Sequence, residues 1–275
     1  MFRKTSGSSL CYACGKLNRV DAAVCFYCGR RHPGLWGFAP LLGRVVGELA
    51  FARIVTAVCV AAYAAALVLD PAAALRPRGL FGLLAPSSTA LLALGMTGAL
   101  AWDLGQWWTL FTAMYLHGSL LHIVFNLLWI NQLAPAVEGL FGRARLVLVF
   151  TAGGVAGFIL SNAAGVPATI GASGAVFGLL GAMVRYGRSR GGIFGMAVFR
   201  QYWQWSLVLF VMGFLMPGVN NLAHAGGFFG GYLAAAVVGH GEQRREGGLH
   251  RLAAMATLAV TALSFGLAVW TAVGR

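Results

Sequence analysis

The chain has 275 residues, of which 59% are hydrophobic and only 10% are charged. Soluble globular domains carry roughly 25% charged residues, so this composition excludes an ordinary soluble protein. Long apolar stretches separated by short basic ones instead predict an all-α membrane protein. The formal net charge is +13. We assign this charge to orientation in the bilayer and not to nucleic-acid binding, because basic residues collect on the cytoplasmic side of membrane proteins.

Residues 1–35 form a polar head that holds four of the five cysteines. Two Cys-x2-Cys pairs, each followed by glycine, favour a tetrahedral thiolate zinc site, and the head resembles a zinc ribbon. We predict a closed, structural site with four ligands, Cys11, Cys14, Cys25 and Cys28. A pair of disulfides is the alternative, which a reducing cytoplasm disfavours. What the head binds is unknown, and residues 36–50 link it to the rest of the chain.

Seven apolar segments follow the linker and predict a bundle of six plus one transmembrane helices. The first and last segments are long enough to cross an apolar core of about 30 Å, whereas the third, fourth and fifth are short. Residues 83–100 are also apolar, but proline, serine and glycine interrupt them, so we predict a membrane-associated loop there. Residues 51–240 then form a six-span core, and residues 241–275 form a cytoplasmic loop and the seventh helix. The predicted segments are 52–69, 115–133, 145–161, 173–184, 203–216, 222–238 and 252–272.

The distribution of basic residues predicts the orientation of these segments. With the N-terminus inside, 17 of the 20 Lys and Arg residues fall on the cytoplasmic side, and Arg76, Arg78 and Arg275 fall outside. An extra span at 83–100 would invert every later loop and destroy this asymmetry. We therefore expect an integral membrane protein with a cytoplasmic N-terminus and an outside C-terminus. The arginine-rich, lysine-poor usage favours a bacterial cell (inner) membrane.

Polar side chains suited to acyl transfer converge on the predicted outer end of the bundle. Ser173 opens the fourth segment and His224 the sixth, while His117, His122 and Asn126 lie at the start of the second. Polar groups inside membrane segments are costly and are functional candidates for that reason. A lone serine or histidine in such a helix usually has a structural role, but five such residues at one depth favour chemistry.

Small residues allow the fourth and sixth segments to pack closely. Each contains two glycines four residues apart, beginning at Gly174 and at Gly227, and such pairs let two backbones approach in lipid. Ser173 then lies within reach of His224, which can take its proton as a general base. Neither segment contains Asp or Glu, so we predict a dyad and not a triad.

The oxyanion of a tetrahedral intermediate needs hydrogen-bond donors, each typically worth about 3–4 kcal/mol in the transition state. Three donors are available at this end of the bundle. They are the amide of Asn126, the imidazole of His122 and the backbone N–H groups at Ala172, where the fourth segment starts.

These residues belong to sequence patterns through which the chain resembles the rhomboid family of intramembrane serine proteases, over about residues 50–240. The patterns are Gly105-Gln106-Trp107-Trp108 with Leu110-Phe111-Thr112, His117-x4-His122-x3-Asn126, Gly171-Ala172-Ser173-Gly174, and Ala223-His224 followed by Gly227 and Gly231. The resemblance implies Ser173 as nucleophile and His224 as general base and acid. It also implies His122 and Asn126 as oxyanion-site residues, with the neighbouring histidine and glycines supporting them.

The same resemblance implies substrates that are transmembrane helices, cleaved near the outer membrane face without a catalytic cofactor. One departure stands out, because Thr109 occupies the position after Trp108 where the family usually has arginine. We expect this change to affect stability or substrate gating more than chemistry. The expected partners are transmembrane protein substrates and the lipid bilayer, and not nucleic acid.

Two alternatives remain open. A catalytically inactive relative would bind transmembrane helices and escort or retain them, which Thr109 and the additional head favour. A transporter would use the same His, Asn and Ser side chains to line a cavity. The lack of a membrane-embedded acid argues against ion or proton coupling in such a transporter.

Overall fold

The structure is a computed structural model that describes residues 4–11, 16–38, 51–76, 79–242 and 246–274. The chain divides into two compact units, Met1–Ile54 and Val55–Arg275. Cys14 and most of the predicted linker, residues 39–50, lie outside the described residues.

The head contains a two-stranded antiparallel sheet, with strand β1 at Ser8–Leu10 and strand β2 at Leu17–Arg19. Ser9 pairs with Asn18 on the buried face. The residue pairs on either side, Ser8 with Arg19 and Leu10 with Leu17, are exposed. A sheet of this size buries too little apolar surface to be stable alone, and natural domains of this kind are usually held by a metal or by disulfides. The fold of the head therefore fits a metal-held domain.

From Phe51 onward the described chain is built from long helices. We number them in chain order as α1 Phe51–Leu69, α2 Leu120–Phe141, α3 Arg143–Ala163, α4 Ser173–Arg190, α5 Gly192–Leu215, α6 Asn221–Val238 and α7 Gly248–Val273. Each overlaps one of the seven predicted segments. By length and composition, α1, α2, α3 and α7 are apolar enough to cross a membrane. The count of six plus one spans stays a prediction.

Several helix boundaries differ from the predicted segments. Helix α2 begins at Leu120, where the Ser119 hydroxyl accepts a hydrogen bond from the His122 N–H, and it continues to Phe141. The expectation that the third and fifth segments are short is wrong, because α3 has 21 residues and α5 has 24. The predicted apolar segments excluded flanking arginines such as Arg200, which the observed helices include. Arg200 lies within α5 and is exposed, so its long side chain can reach polar surroundings without interrupting the helix.

Between α1 and α2 the chain forms a long first loop of short helical turns. The prediction that residues 83–100 form a loop agrees with the structure, where the longest helix in that range has six residues. Gly95, with φ of +91°, ends that helix in a conformation that other residues rarely adopt. The helical turns are Pro71–Ala74, Leu80–Gly82, Ser88–Ala93, Ala99–Asp103, Thr109–Thr112 and Ala113–Tyr115.

Helix α4 lies at the centre of the bundle, with 13 of its 18 residues buried. It runs parallel to α6 in direct backbone contact. A Cβ added to Gly227 or Gly231 would overlap the carbonyl oxygen of Gly174 or Gly178, respectively. The glycines predicted to bring the two segments together therefore do so. As a result α4 and α6 begin side by side, at an end of the bundle that we call the Ser173 end.

Helix α7 packs on α3 and on the first loop. The Phe265 ring lies 5.7 Å from the ring of Tyr115 in that loop. Where α7 begins, a Glu246 carboxylate oxygen accepts a hydrogen bond of 2.8 Å from the N–H of Ala144. This contact satisfies one of the free N–H groups in the first turn of α3, where negative charge is favourable. The seventh helix is thus fastened to the core just before its start and again in its second half.

Candidate active site

Ser173 is the first residue of α4 and is half-buried. The turn before it depends on Gly171, which has a φ of +116° and donates its N–H to the Ala113 carbonyl at 2.9 Å. A Cβ at Gly171 would lie 2.6 Å from Nε2 of His122, so only glycine lets the imidazole approach this turn. The start of α2 and the turn that carries Ser173 are therefore in contact, as the sequence predicted.

His224 lies in the first turn of α6 with 6% of its surface exposed. Its ring stacks on the ring of Phe177, with centroids 4.4 Å apart and planes 18° apart. Phe177 follows Ser173 by one helical turn, so the stack places the imidazole beside the start of α4. No hydrogen bond joins Ser173 Oγ to His224 in the part of the chain that the structure describes. Such contacts are often long in an enzyme without substrate and shorten in the reacting complex.

Asn221 is a neighbour of His224 that the sequence analysis missed. Its Oδ1 lies 3.1 Å from Nδ1 of His224, one helical turn away. A carbonyl oxygen can only accept, so this contact places the ring proton on Nδ1 and leaves the lone pair of Nε2 available. Residues 139–241 contain no Asp or Glu, and an amide therefore orients the imidazole. The spacing N-x2-H in the first turn of a helix was the signal that could have found it.

His122 has the opposite proton arrangement. Its Nδ1 accepts a hydrogen bond of 3.2 Å from the N–H of Gly118. In a neutral ring the proton then resides on Nε2, the atom that faces Gly171. His122 therefore presents a donor toward the Ser173 turn, whereas His224 retains an acceptor.

The other predicted residues of this site lie around His122. The Asn126 amide donates one N–H to the His122 carbonyl at 2.9 Å, which leaves its second N–H for another acceptor. His117 is fully buried, with Nδ1 3.2 Å from the Tyr115 carbonyl and its ring 5.1 Å from that of His122. Ala172, whose backbone N–H was a candidate donor, is also fully buried.

The cysteines of the head form a second cluster. The sulfurs of Cys11, Cys25 and Cys28 all lie within 4.8 Å of one another, and those of Cys11 and Cys28 are 3.8 Å apart. Four sulfurs arranged tetrahedrally around zinc at about 2.3 Å would be separated by about 3.8 Å. The Asn18 amide donates to the Cys25 sulfur at 3.3 Å. These three sulfurs could hold a metal ion, while Cys14 lies outside the described residues.

Comparison with known proteins identifies the family. Residues 104–241, half of the chain, match the family model for the Rhomboid domain. The chain belongs to the rhomboid family. The matched region runs from the first loop to the end of α6, so every residue described above at the Ser173 end lies in it. The cysteine head of this rhomboid protein lies outside it.

Individual relatives agree with this assignment. Rhomboid protease GluP of Bacillus subtilis is 34% identical over 135 residues, which are 49% of this chain and 27% of that protein. Rhomboid-type serine protease 2 of Emericella nidulans is 34% identical over 132 residues, 45% of this chain and 25% of that protein. RHOMBOID-like protein 7 of Arabidopsis thaliana is 35% identical over 164 residues, 55% of this chain and 49% of that protein. The rhomboid chain thus spans less than half the length of these relatives.

Proposed function

We propose that this rhomboid chain is an intramembrane serine endopeptidase that cleaves transmembrane-helix substrates with a Ser173–His224 dyad. The observation that carries the proposal is the pair of contacts at the Ser173 end in which Nδ1 of His224 faces a carbonyl oxygen and Nδ1 of His122 faces a backbone N–H. His224 keeps an acceptor nitrogen, which a general base needs, and His122 offers a donor nitrogen, which an oxyanion needs. GluP and the Emericella relative, both named as proteases, support the same activity.

In the proposed reaction, Oγ of Ser173 attacks the scissile carbonyl carbon while Nε2 of His224 removes the hydroxyl proton. The carbonyl oxygen becomes an oxyanion, which the His122 N–H, the free Asn126 N–H and backbone N–H groups near Ala172 stabilise. The imidazolium then protonates the leaving amine, the C–N bond breaks, and an acyl-enzyme remains. A water molecule then gives a proton to Nε2 of His224 while its oxygen bonds to the acyl carbon. The ester bond from that carbon to Oγ of Ser173 breaks, His224 returns the proton to Oγ, and the product leaves with a new carboxyl end.

Asn221 has a defined role in this scheme. Its Oδ1 accepts from the Nδ1–H of His224 and keeps Nε2 directed at the serine, as an amide does in cysteine proteases of the Cys-His-Asn type. The oxygen also faces the positive charge that forms on the ring during the reaction. A neutral amide stabilises that charge less than a carboxylate would, and no carboxylate is available in residues 139–241.

The first experiment is labelling of the detergent-solubilised chain with a serine-reactive fluorophosphonate, read by peptide mass spectrometry. We expect an adduct on Ser173 that is absent in His224→Ala, because the hydroxyl reacts only when a base removes its proton. Ser206→Ala is the matched control, since this buried serine of α5 donates its hydroxyl proton to the Tyr202 carbonyl. A folded protein without an adduct would contradict the proposal and favour a relative that binds transmembrane helices without cleaving them.

The membrane arrangement is part of the same proposal. The asymmetry of basic residues supports a cytoplasmic N-terminus and an outside C-terminus. The arginine-rich, lysine-poor usage supports a bacterial inner membrane as the location. The Ser173 end would then face outside, and cleavage would occur near the outer membrane face. The domains would be the head at 1–35, the linker at 36–50, the six-span core at 51–240 and the seventh helix with its loop at 241–275.

For the head we propose a structural zinc ion held by the four predicted cysteines, Cys11, Cys14, Cys25 and Cys28. The spacing of the three described sulfurs fits thiolate ligands, and a site with four protein ligands leaves no open position for catalysis. When bound, zinc would supply stability to a sheet too small to fold alone. The cleavage reaction needs no cofactor.

We expect the purified full chain to contain about one zinc ion and Cys25→Ser to lose most of it, because a three-thiolate remnant binds metal more weakly. Elemental analysis and thiol counting measure both quantities. Cys59→Ser is the matched control, since Cys59 is buried in α1 and should leave the zinc content unchanged. Zinc well below one per chain with all thiols intact would contradict the proposal.

A further inference from the structure

A set of buried polar side chains at the Ser173 end plays no part in the reaction described above. It joins four segments of the chain: the first loop, the end of α3, the loop before α4 and the residue before α6. Every side chain of the set is buried except that of Asn220, the residue before α6, which is half-buried. We call this set the polar network; its members are Thr97, Thr109, Ser161, Asn162, Thr169 and Asn220.

One half of the polar network ties the first loop to α3. The Asn162 amide donates to Thr97 Oγ1 at 3.0 Å, and Thr97 Oγ1 lies 3.0 Å from Thr109 Oγ1. Thr109 Oγ1 is also 2.7 Å from the Gln106 carbonyl, which can only accept. Since a hydroxyl has one proton, Thr109 donates to that carbonyl and accepts from Thr97. The chain of donors therefore runs in one direction, from α3 into the loop.

The other half ties the loop before Ser173 to the start of α6. The N–H of Thr169 donates to the Thr97 carbonyl at 2.8 Å. The Asn220 amide donates to Thr169 Oγ1 at 3.1 Å and to the hydroxyl of Ser161. Asn220 Oδ1 accepts from the Ala223 N–H at 3.2 Å and so caps α6. Both amide protons and the amide oxygen of Asn220 are thus in use.

Two positions in this arrangement bear on the candidate dyad. Thr169 precedes Ser173 by four residues, and Asn220 precedes His224 by four residues and accepts the His224 N–H at its own carbonyl. The Asn220–Thr169 hydrogen bond therefore joins the segments that lead into Ser173 and His224. A buried polar group that loses its partner remains desolvated, so these hydrogen bonds hold a single arrangement.

We infer that Asn220 is a positioning residue that sets His224 against Ser173 by joining the cap of α6 to the loop before α4. This inference rests on the proposed function. It also accounts for Thr109, at whose position the family resemblance leads one to expect arginine. In this chain, neutral hydroxyls and amides hydrogen-bond the first loop to α3 at that position instead. Thr109 has 2% of its surface exposed, which leaves no space for a guanidinium in this arrangement.

The test is Asn220→Ser in the full chain. Serine is a good helix cap and keeps an acceptor for the Ala223 N–H, but it cannot also donate to both Ser161 and Thr169. We expect the rate of fluorophosphonate labelling at Ser173 and kcat for cleavage to fall about 10- to 100-fold, as for small misplacements of reacting groups. KM should stay near its wild-type value, while the melting temperature should fall by several degrees because buried Ser161 and Thr169 lose hydrogen bonds. Ser87→Ala, which removes the cap of the short helix Ser88–Ala93, is the matched control and should keep the wild-type labelling rate.

The outcomes separate this inference from the proposed function. If wild-type Ser173 is not labelled, the proposed function fails and the inference fails with it. If the wild type is labelled and Asn220→Ser is labelled at the same rate, only the inference is overturned. If Asn220→Ser does not fold, Thr169→Val decides, because it removes one contact of Asn220 and leaves the cap of α6. A slower labelling rate in folded Thr169→Val supports the inference, and an unchanged rate overturns it.

Discussion

Replacing His224 with alanine is expected to lower the rate of peptide-bond cleavage by about 10³-fold or more in a protein that still folds. The imidazole keeps an acceptor nitrogen through its contact with Asn221 and is held on the ring of Phe177 beside Ser173. Without it the serine hydroxyl keeps its proton and is a poor nucleophile. The measurement is the initial rate on a single-pass transmembrane reporter that the wild type cleaves, with both proteins reconstituted in liposomes.

His250→Ala is the control for this experiment. His250 lies in the first turn of α7, where its Nδ1 accepts from the Gly247 N–H, at the end of the bundle opposite Ser173. Its loss should leave cleavage near the wild-type rate. Cleavage by His224→Ala at a rate comparable to that of His250→Ala would remove His224 from the mechanism.

Asn221→Ala gives a graded form of the same test. It leaves the imidazole in place and removes the acceptor of its Nδ1–H, so the ring can adopt either tautomer. We expect kcat to fall about 10-fold with KM unchanged, since only orientation and charge stabilisation are lost. Asn131→Ala, an exposed asparagine on α2, is the control. Together, His224→Ala and Asn221→Ala separate the contribution of the base from that of the group that orients it.

Much of this arrangement could be predicted because it depends on residues that repeat with the period of a helix or lie at fixed distances along the sequence. The apolar segments located the seven long helices of the described residues, and the glycine pairs beginning at Gly174 and Gly227 indicated which two come into contact. Once α4 and α6 lie parallel and begin at the same end, Ser173 and His224 must lie near each other. Motif spacing on one helix likewise placed His122 and Asn126 together.

Other features depend on contacts that no local pattern encodes. The polar network joins Thr97, Asn162 and Asn220, which are far apart in sequence, and only the packed bundle brings them together. Helix α5 starts at Gly192, and its first turns pack on α4 through Gly195, where a Cβ would lie 2.8 Å from the Gly187 carbonyl oxygen. The tautomers of His122 and His224 are likewise set by single neighbours and not by composition.

The glycine contact between α4 and α6 provides a second large effect. Gly231→Ala adds a Cβ that would overlap the carbonyl oxygen and Cα of Gly178. Backbone atoms cannot rotate away as a side chain can, so the two helices must separate. Overpacking typically costs about 1–3 kcal/mol, and a clash with backbone belongs at the upper end of that range. We expect the melting temperature in detergent to fall by roughly 6–12 °C.

Gly266→Ala is the matched control because it makes the same substitution inside a helix without a clash. Gly266 lies on an exposed part of α7, and a Cβ there meets no atom within 4 Å. In that position alanine favours the helix by up to about 1 kcal/mol, so the melting temperature should stay constant or rise. Labelling of Ser173 should also slow in Gly231→Ala but not in Gly266→Ala, since separating α4 from α6 moves His224 away from the serine. Equal melting temperatures for the two variants would mean that the helices are not in backbone contact, and the placement of the dyad would lose its physical basis.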